Sequence, residues 1–239
     1  MALKDISRKI RLPFQRAMLA RDLRRFHESA HELADCVDMA MSFGRGSILK
    51  FRMMQKRSEI LGLARRVESL KPKVIVEIGT AQGGTLFLWS QLASKLVVSC
   101  DLAHSPAVAP SYEWFPSPDS GCRIELLQGD SHTPEFKQRL RSALGGEKAD
   151  FLFIDGDHTE SGVAQDYFDY REFVRPGGII AFHDIVERQR IPTNQVGRFW
   201  NRLKAVDESA EEFVDSADQT GFGIGLVRVS DGKPRLEPA

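Results

Sequence analysis

The chain has 239 residues, 42% of them apolar and 28% charged, with 33 Lys and Arg balanced by 33 Asp and Glu. That composition argues against disordered or fibrous chains and suits one large domain, or one domain with an appendage. Its three cysteines, Cys36, Cys100 and Cys122, form no C-x-x-C pair and have no His at zinc spacing. No run of residues approaches the ~20 apolar positions of a membrane span and the N-terminus lacks the apolar core of a secretory signal, so a reducing, cytoplasmic setting is expected.

Residues 3–41 read as helical, because Leu12, Leu19, Leu23 and Phe26 recur at three- and four-residue steps with Pro13 as the main breaker. The pattern breaks at Phe43-Gly44-Arg45-Gly46-Ser47. A further helix is expected over about 54–70, where Ile60, Leu61, Leu63, Ala64, Val67 and Leu70 make one apolar face that ends before Pro72. Charge is unevenly placed. Residues 1–73 hold 17 Lys and Arg against 8 acids, an excess of nine positive charges that residues 74–239 balance with nine negative ones. Lys4, Arg8, Lys9, Arg11, Arg16, Arg21, Arg24 and Arg25 read as contact with an anionic surface, lipid or RNA, or as a solvated face or oligomer contact. The chain divides into a basic helical extension, 1–53, and a domain over 54–239.

Beyond Lys73, short apolar runs at Val74–Ile78, Leu96–Cys100, Ile124–Leu127, Phe151–Ile154 and Ile179–Phe182 alternate with helical patterns at about 83–94, 133–144, 160–173 and 194–206. Near-continuous apolar strands separated by helices are what a parallel sheet covered on both faces requires. Glu211–Val214 and Phe222–Val229 are strand-like with no room for a helix between them, so an antiparallel hairpin should close the sheet. The expected fold is α/β: a Rossmann-like, doubly wound, seven-stranded sheet preceded by N-terminal helices.

Ligands bind such sheets outside the carboxyl ends of the strands. The first end reads Glu77-Ile78-Gly79-Thr80-Ala81-Gln82-Gly83-Gly84-Thr85, where glycines permit a sharp turn and a helix starting near Gly84 points free N–H groups at a ligand. Its G-x-x-x-G-G spacing departs from the dinucleotide-binding G-x-G-x-x-G, and by itself it also fits a plain tight turn. Strand two ends in Asp101, a carboxylate suited to ribose hydroxyls. Strand three ends in Gln128-Gly129-Asp130-Ser131, where Asp130 can accept from an exocyclic amine or cap the next helix. Together these three ends favour an adenosine-type ligand.

Strands four and five end in Asp155-Gly156-Asp157-His158 and His183-Asp184. Acids emerging directly from apolar strands are forced to the sheet's mouth, because burying an unpaired carboxylate is costly. Asp155, His183 and Asp184 can therefore converge on one divalent cation, with His183 either a ligand or a hydrogen-bonding neighbour. His158, three residues past Asp155, is a candidate base near neutral pH or a capping or surface residue. His27, His31, His104 and His132 show no such context. Segment 102–121, with Tyr112, Trp114 and Phe115, is either a pocket wall or a stiff loop packed on the domain. Segment 186–193 is either a lid carrying Arg188 and Arg190 or a solvated loop.

The runs E-I-G-T-A-Q-G-G-T at 77–85, Asp101, G-D-S at 129–131, F-I-D-G-D-H at 153–158 and V-R-P-G-G-I-I-A-F-H-D-I at 174–185 resemble the class I S-adenosylmethionine-dependent methyltransferases. More narrowly they resemble the family 24 branch, akin to cephalosporin-hydroxylase-like and macrolide-sugar O-methyltransferases. The resemblance spans about 55–229 and leaves residues 1–50 unmatched. It implies that Glu77, Gly79, Thr80 and Gly83 hold the methionine part of S-adenosyl-L-methionine, Asp101 its ribose, and Asp130 with Ser131 its adenine. It further implies that Asp155 and Asp184 bind metal, magnesium or manganese, with Asp155 also bordering the cofactor, and that His158 is the base. His183 stands where those enzymes usually carry another acid.

The expected function is metal-assisted O-methylation of a small-molecule or sugar hydroxyl by a homo-oligomer without a transmembrane segment. Two rival readings are a metal-independent methyltransferase on nucleic acid or protein, and a non-catalytic adenosine-ligand-binding protein.

Overall fold

The computed structural model describes residues 3–43, 49, 51–189 and 191–236, with side chains from Arg11 onward. The Gly44–Ser47 break and Arg190 lie outside the described residues. The expected helix over 3–41 is two helices, α1 (Leu3–Glu28) and α2 (Leu33–Ser42). The break falls before Asp35, whose carboxylate accepts the Glu32 backbone N–H at 2.8 Å and so caps a new helix start. Helix α3 covers Arg57–Ser69.

The alternating elements follow: β1 (Val74–Ile78), α4 (Gly84–Leu92), β2 (Leu96–Asp101), β3 (Arg123–Gln128), α5 (Pro134–Leu144), β4 (Ala149–Ile154), α6 (Glu160–Tyr170), β5 (Val174–His183), α7 (Val196–Lys204), β6 (Glu211–Phe213) and β7 (Ile224–Arg228). The sheet order is β3-β2-β1-β4-β5-β7-β6. The first five strands run parallel, while β7 pairs antiparallel with both β5 and β6. The chain leaves β1 toward one edge and returns on its other side as β4, so the crevice between their carboxyl ends is the fold's natural ligand site.

Side chains alternate across the strands into two cores. Ile75, Phe151, Phe153, Ile179 and Ala181 pack on the face that carries α2, α3 and α4, while Val76, Ile78, Leu152, Ile154, Ile180 and Phe182 pack on the face of α5, α6 and α7. Burying each large apolar side chain contributes ~1.5–3 kcal/mol. The N-terminal extension shares the first of these cores: Leu19, Leu23, Val37, Ala40, Phe51 and Met53 belong to the same cluster as Ile75 and Phe153.

Segment 102–121 packs as a stiff loop. Tyr112 and Phe115 are buried, Phe115 lies 4.5 Å from Phe51 ring to ring, and Gln91 donates its amide to the Phe115 carbonyl at 2.6 Å. At the other end of that loop Arg16 of α1 donates to the Ala107 carbonyl.

Candidate active site

A cleft of about 520 Å³ opens over the carboxyl ends of β1 to β4. Gly79, Asp101, Asp130, Ser131 and Asp155 all line it, so the strand-end residues singled out in the sequence meet at one place. The turn after β1 requires its glycine: Gly79 has φ +100°, and a Cβ there would lie 2.1 Å from the Asp155 carbonyl oxygen. Gly83, at φ +80°, precedes the first turn of α4. Asp101 is held by two backbone donors, Ala81 N–H at 2.8 Å and Ala103 N–H at 3.1 Å.

Thr80 and Glu77 sit deeper than the sequence suggests. Thr80 is buried and shares a 2.6 Å hydroxyl contact with Ser99. Glu77 faces the α4 side of the sheet, fully buried, where its carboxylate accepts from Trp89 Nε1 at 3.0 Å and Ser99 Oγ at 2.5 Å. Burial pushes its pKa up to about 7 against the pull of those donors and of Thr85. Its carboxylate supports the turn from behind and does not line the cleft.

An inner pocket of about 190 Å³ continues the cleft through Gly79, Ala81, Asp155 and His158. Its floor carries Asp155, His158 and Asp184, which can each offer one ligand atom with all three atoms within 4.8 Å of one another. His158 lies between the acids, Nε2 3.4 Å from Asp155 Oδ1 and Nδ1 3.2 Å from Asp184 Oδ2. Hydrogen bonding to Asp155 and Asp184 raises its pKa to about 10. Burial alone would raise Asp155, but His183 and His158 hold it down at about 2.

His183 has a different position from its neighbour. It is the last residue of β5, with Nδ1 3.1 Å from Asp155 Oδ1 and a buried Nε2 that has no partner. It lines the inner pocket without joining the three-ligand group. Asp184 turns back to the mouth through a left-handed backbone, φ +64°.

Two residues with no sequence signal complete the site. Gln55 donates its amide to Asp155 Oδ2 at 2.9 Å, from a segment that walls the inner pocket with Arg52, Met53 and Met54. Asn194 donates to Asp184 Oδ2 at 2.7 Å and stands 2.9 Å from His158 Nδ1, while its Oδ1 accepts from Val196 N–H at 3.4 Å. Phe222, at φ +62°, forms the remaining wall. Arg188, from the segment read as either a lid or a solvated loop, donates to the Ala217 carbonyl.

The comparison with protein families bears directly on this cleft: residues 76–185 match the family 24 model, described as a methyltransferase domain. Those residues, a little under half of the chain, are similar to that family's methyltransferase domain. The glycine turn, Asp155 and Asp184 all fall within the matched segment.

Solved structures agree in fold. An O-methyltransferase from Bacillus cereus in complex with SAH superposes with TM-score 0.59 at 17% identity, over 84% of this chain and 93% of that one. TomG from Streptomyces achromogenes, involved in tomaymycin synthesis and solved with SAM, gives 0.57 at 16% identity over 84% and 91%. MycE from the mycinamycin pathway, in complex with Mg, SAH and mycinamycin VI, gives 0.55 at 17% identity over 86% of this chain and 57% of that one. No curated protein matches the sequence. At these identities the likeness establishes the methyltransferase fold, and function rests on the site itself.

Proposed function

We propose that this chain is an S-adenosyl-L-methionine-dependent O-methyltransferase acting on a hydroxyl of a small molecule or sugar, with a divalent cation, magnesium or manganese, held by Asp155 and Asp184. The observation that carries the reading is the convergence of Asp155, His158 and Asp184 at the inner end of a cleft walled by the glycine turn, Asp101 and Asp130. The two carboxylates are donors that fit a hard cation, and the His158 ring beside them is left to act as base. The MycE complex supports that part of the reading, since its description records Mg together with SAH.

In this reading Gly79, Thr80 and Gly83 accommodate the methionine part of the cofactor, Asp101 its ribose, and Asp130 and Ser131 its adenine. A cation held by Asp155 and Asp184 would supply Lewis acidity that lowers the pKa of the acceptor hydroxyl. His158 takes the hydroxyl proton. Its free imidazole would be protonated at neutral pH between two carboxylates, and a cation held by Asp155 and Asp184 would offset their charge and leave the ring basic. With the cofactor so held, the acceptor oxygen would attack the sulfonium methyl carbon, the carbon–sulfur electron pair would pass to sulfur, and S-adenosylhomocysteine would leave as a neutral thioether. Base assistance contributes ~10²–10⁴-fold and in-line positioning ~7–11 kcal/mol.

We also assign the outward face of α1, where Arg11, Phe14, Met18, Arg21 and Arg25 are exposed, to contact with an anionic lipid surface. Titration of S-adenosylhomocysteine into chelator-treated protein, repeated with magnesium and manganese, tests the main reading. Micromolar binding followed by metal-dependent methyl transfer to hydroxyl acceptors supports it. Absence of binding under every condition overturns it.

A further inference from the structure

Beneath the outer end of the cleft, α6 contributes a residue that the methyltransferase reading does not use. Asp166 is fully buried. Its Oδ1 accepts from Ser131 Oγ at 2.9 Å and lies 3.3 Å from His132 Nε2, while Oδ2 has no hydrogen-bond partner. That bare oxygen sits directly behind the cleft wall, 3.6 Å from where a Cβ on Gly156 would stand. A buried carboxylate with an unsatisfied oxygen is costly, and an apolar side chain at this place on α6 would pack at less cost.

What it gathers is the loop after β3. His132 lines the cleft, its backbone N–H donates to Asp130 Oδ1 at 2.9 Å, and its ring Nδ1 lies 3.9 Å from the same oxygen. Asp130 Oδ1 is thereby occupied and its second oxygen is left to accept from a ligand. The charged groups facing the His132 ring are Asp130 on its own loop, Asp157 after β4 and Asp166 on α6. The Asp166 carboxylate, at an ion-pair distance of 3.3 Å from Nε2, leads in raising the ring's pKa to about 9.

We propose that Asp166 is the positioning residue for purine recognition: through the Ser131 hydroxyl and the His132 ring it fixes the Asp130–His132 loop so that the cleft accepts adenine in preference to a 6-oxopurine. The proposal rests on the reading that this cleft holds an S-adenosyl cofactor. An exocyclic amine donates to a carboxylate, whereas a 6-oxo group presents an acceptor to it and is repelled; a site built to bond one edge rejects the other.

The test is a set of calorimetric titrations of S-adenosylhomocysteine and S-inosylhomocysteine into the full chain as wild type, Asp166→Asn and Asp101→Ala, with an NMR pH titration of the His132 ring. Asp166→Asn should lose adenine affinity by about tenfold or more and bind the two nucleosides within about threefold of each other. Asp101→Ala should weaken both and keep the preference. The His132 midpoint should fall toward the ordinary histidine range in Asp166→Asn while the melting temperature shows a folded protein. Retained preference in Asp166→Asn, or equal loss of both ligands, overturns the proposal while leaving the cofactor reading intact. Should the wild type bind neither nucleoside, both fall. If the isosteric variant fails to fold, Ser131→Ala and His132→Gln carry the same comparison, and an unchanged preference in both overturns it.

Discussion

The Gln55 side-chain amide donates to Asp155 Oδ2 at 2.9 Å, joining residues 100 positions apart, and its own Oε1 accepts from the Met54 backbone N–H at 3.0 Å. The first oxygen of Asp155 faces His183 and His158, so both oxygens of this carboxylate are oriented before any ligand arrives. Groups that orient metal-binding carboxylates typically carry ~10–100-fold of metal affinity. Gln55→Ala is therefore expected to weaken magnesium or manganese binding by about tenfold and to leave S-adenosylhomocysteine affinity unchanged. Calorimetry of each ligand on the variant checks it; equal metal affinity in variant and wild type would show that Asp155 needs no such support.

The separation of the two ends of the cleft predicts separable losses. Asp184 joins the cluster at the inner pocket, and Asp101 lies in the outer cleft held by the Ala81 and Ala103 amides. Asp184→Ala should abolish metal-dependent turnover with cofactor affinity intact. Asp101→Ala should cost cofactor affinity the ~1.5–3 kcal/mol of a charge-assisted hydrogen bond, roughly 10- to 150-fold. Equal loss of cofactor binding in both would contradict the assignment.

Legibility in the sequence followed the constraint that made each feature. Apolar strands can end only where the sheet ends, so Asp101, Asp130, Asp155 and Asp184 were forced to one rim and could be read from the runs Leu96–Cys100, Ile124–Leu127, Phe151–Ile154 and Ile179–Phe182 alone. Glu77 obeys the same alternation, with the opposite consequence: it shares the face of Ile75, and its carboxylate is turned toward Trp89 of α4. Gln55 and Asn194 fell at the starts of the helical patterns expected from about 54 and 194, but α3 begins at Arg57 and α7 at Val196, so both reach the site from irregular residues ahead of those helices. His132 gave no signal since its partner Asp166 lies on a different element, 34 residues on. The sequence left His183 as a ligand or a hydrogen-bonding neighbour beside Asp184, and the left-handed turn at Asp184, which follows the end of β5 at His183, separates the two positions.

Gly79→Ala should disable cofactor binding through geometry alone. At φ +100° an alanine is strained, and its Cβ would meet the Asp155 carbonyl oxygen at 2.1 Å, so the turn and β4 must move apart. A loss of cofactor affinity of about 10²-fold with a lowered melting temperature is expected. Wild-type affinity in Gly79→Ala would mean the turn has room that the structure does not show.

The outward face of α1 predicts salt-sensitive lipid binding. Phe14 is 68% exposed and Met18 40%, one helical turn apart, among Arg11, Arg21 and Arg25. Sedimentation with phosphatidylglycerol-containing vesicles should carry the protein down at low salt, and pure phosphatidylcholine vesicles should not. Phe14→Ser with Met18→Ser should remove the apolar part of the binding and leave the salt-dependent part. Recovery of all the protein in the supernatant at low salt would discard this surface.

Glu77 predicts a stability profile with a definite sign. Its folded pKa, about 7, lies above the reference value of 4.5, so between those values the folded protein keeps a proton that the unfolded chain has lost. Its contribution to stability is therefore greatest below about pH 4.5, declines through the window and levels off above about pH 7. The decline amounts to ~3 kcal/mol. Glu77→Gln keeps an acceptor for Trp89 and has no such window, so urea unfolding at about pH 5 and about pH 8 should show the variant gaining on the wild type by that amount. Parallel profiles would mean that Ser99, Thr85 and Trp89 already stabilise the carboxylate fully. The charge Glu77 gains as pH rises through about 7 matters for the site as well, because Glu77 lies behind the turn that carries Gly79 and repels Asp155 electrostatically when ionised.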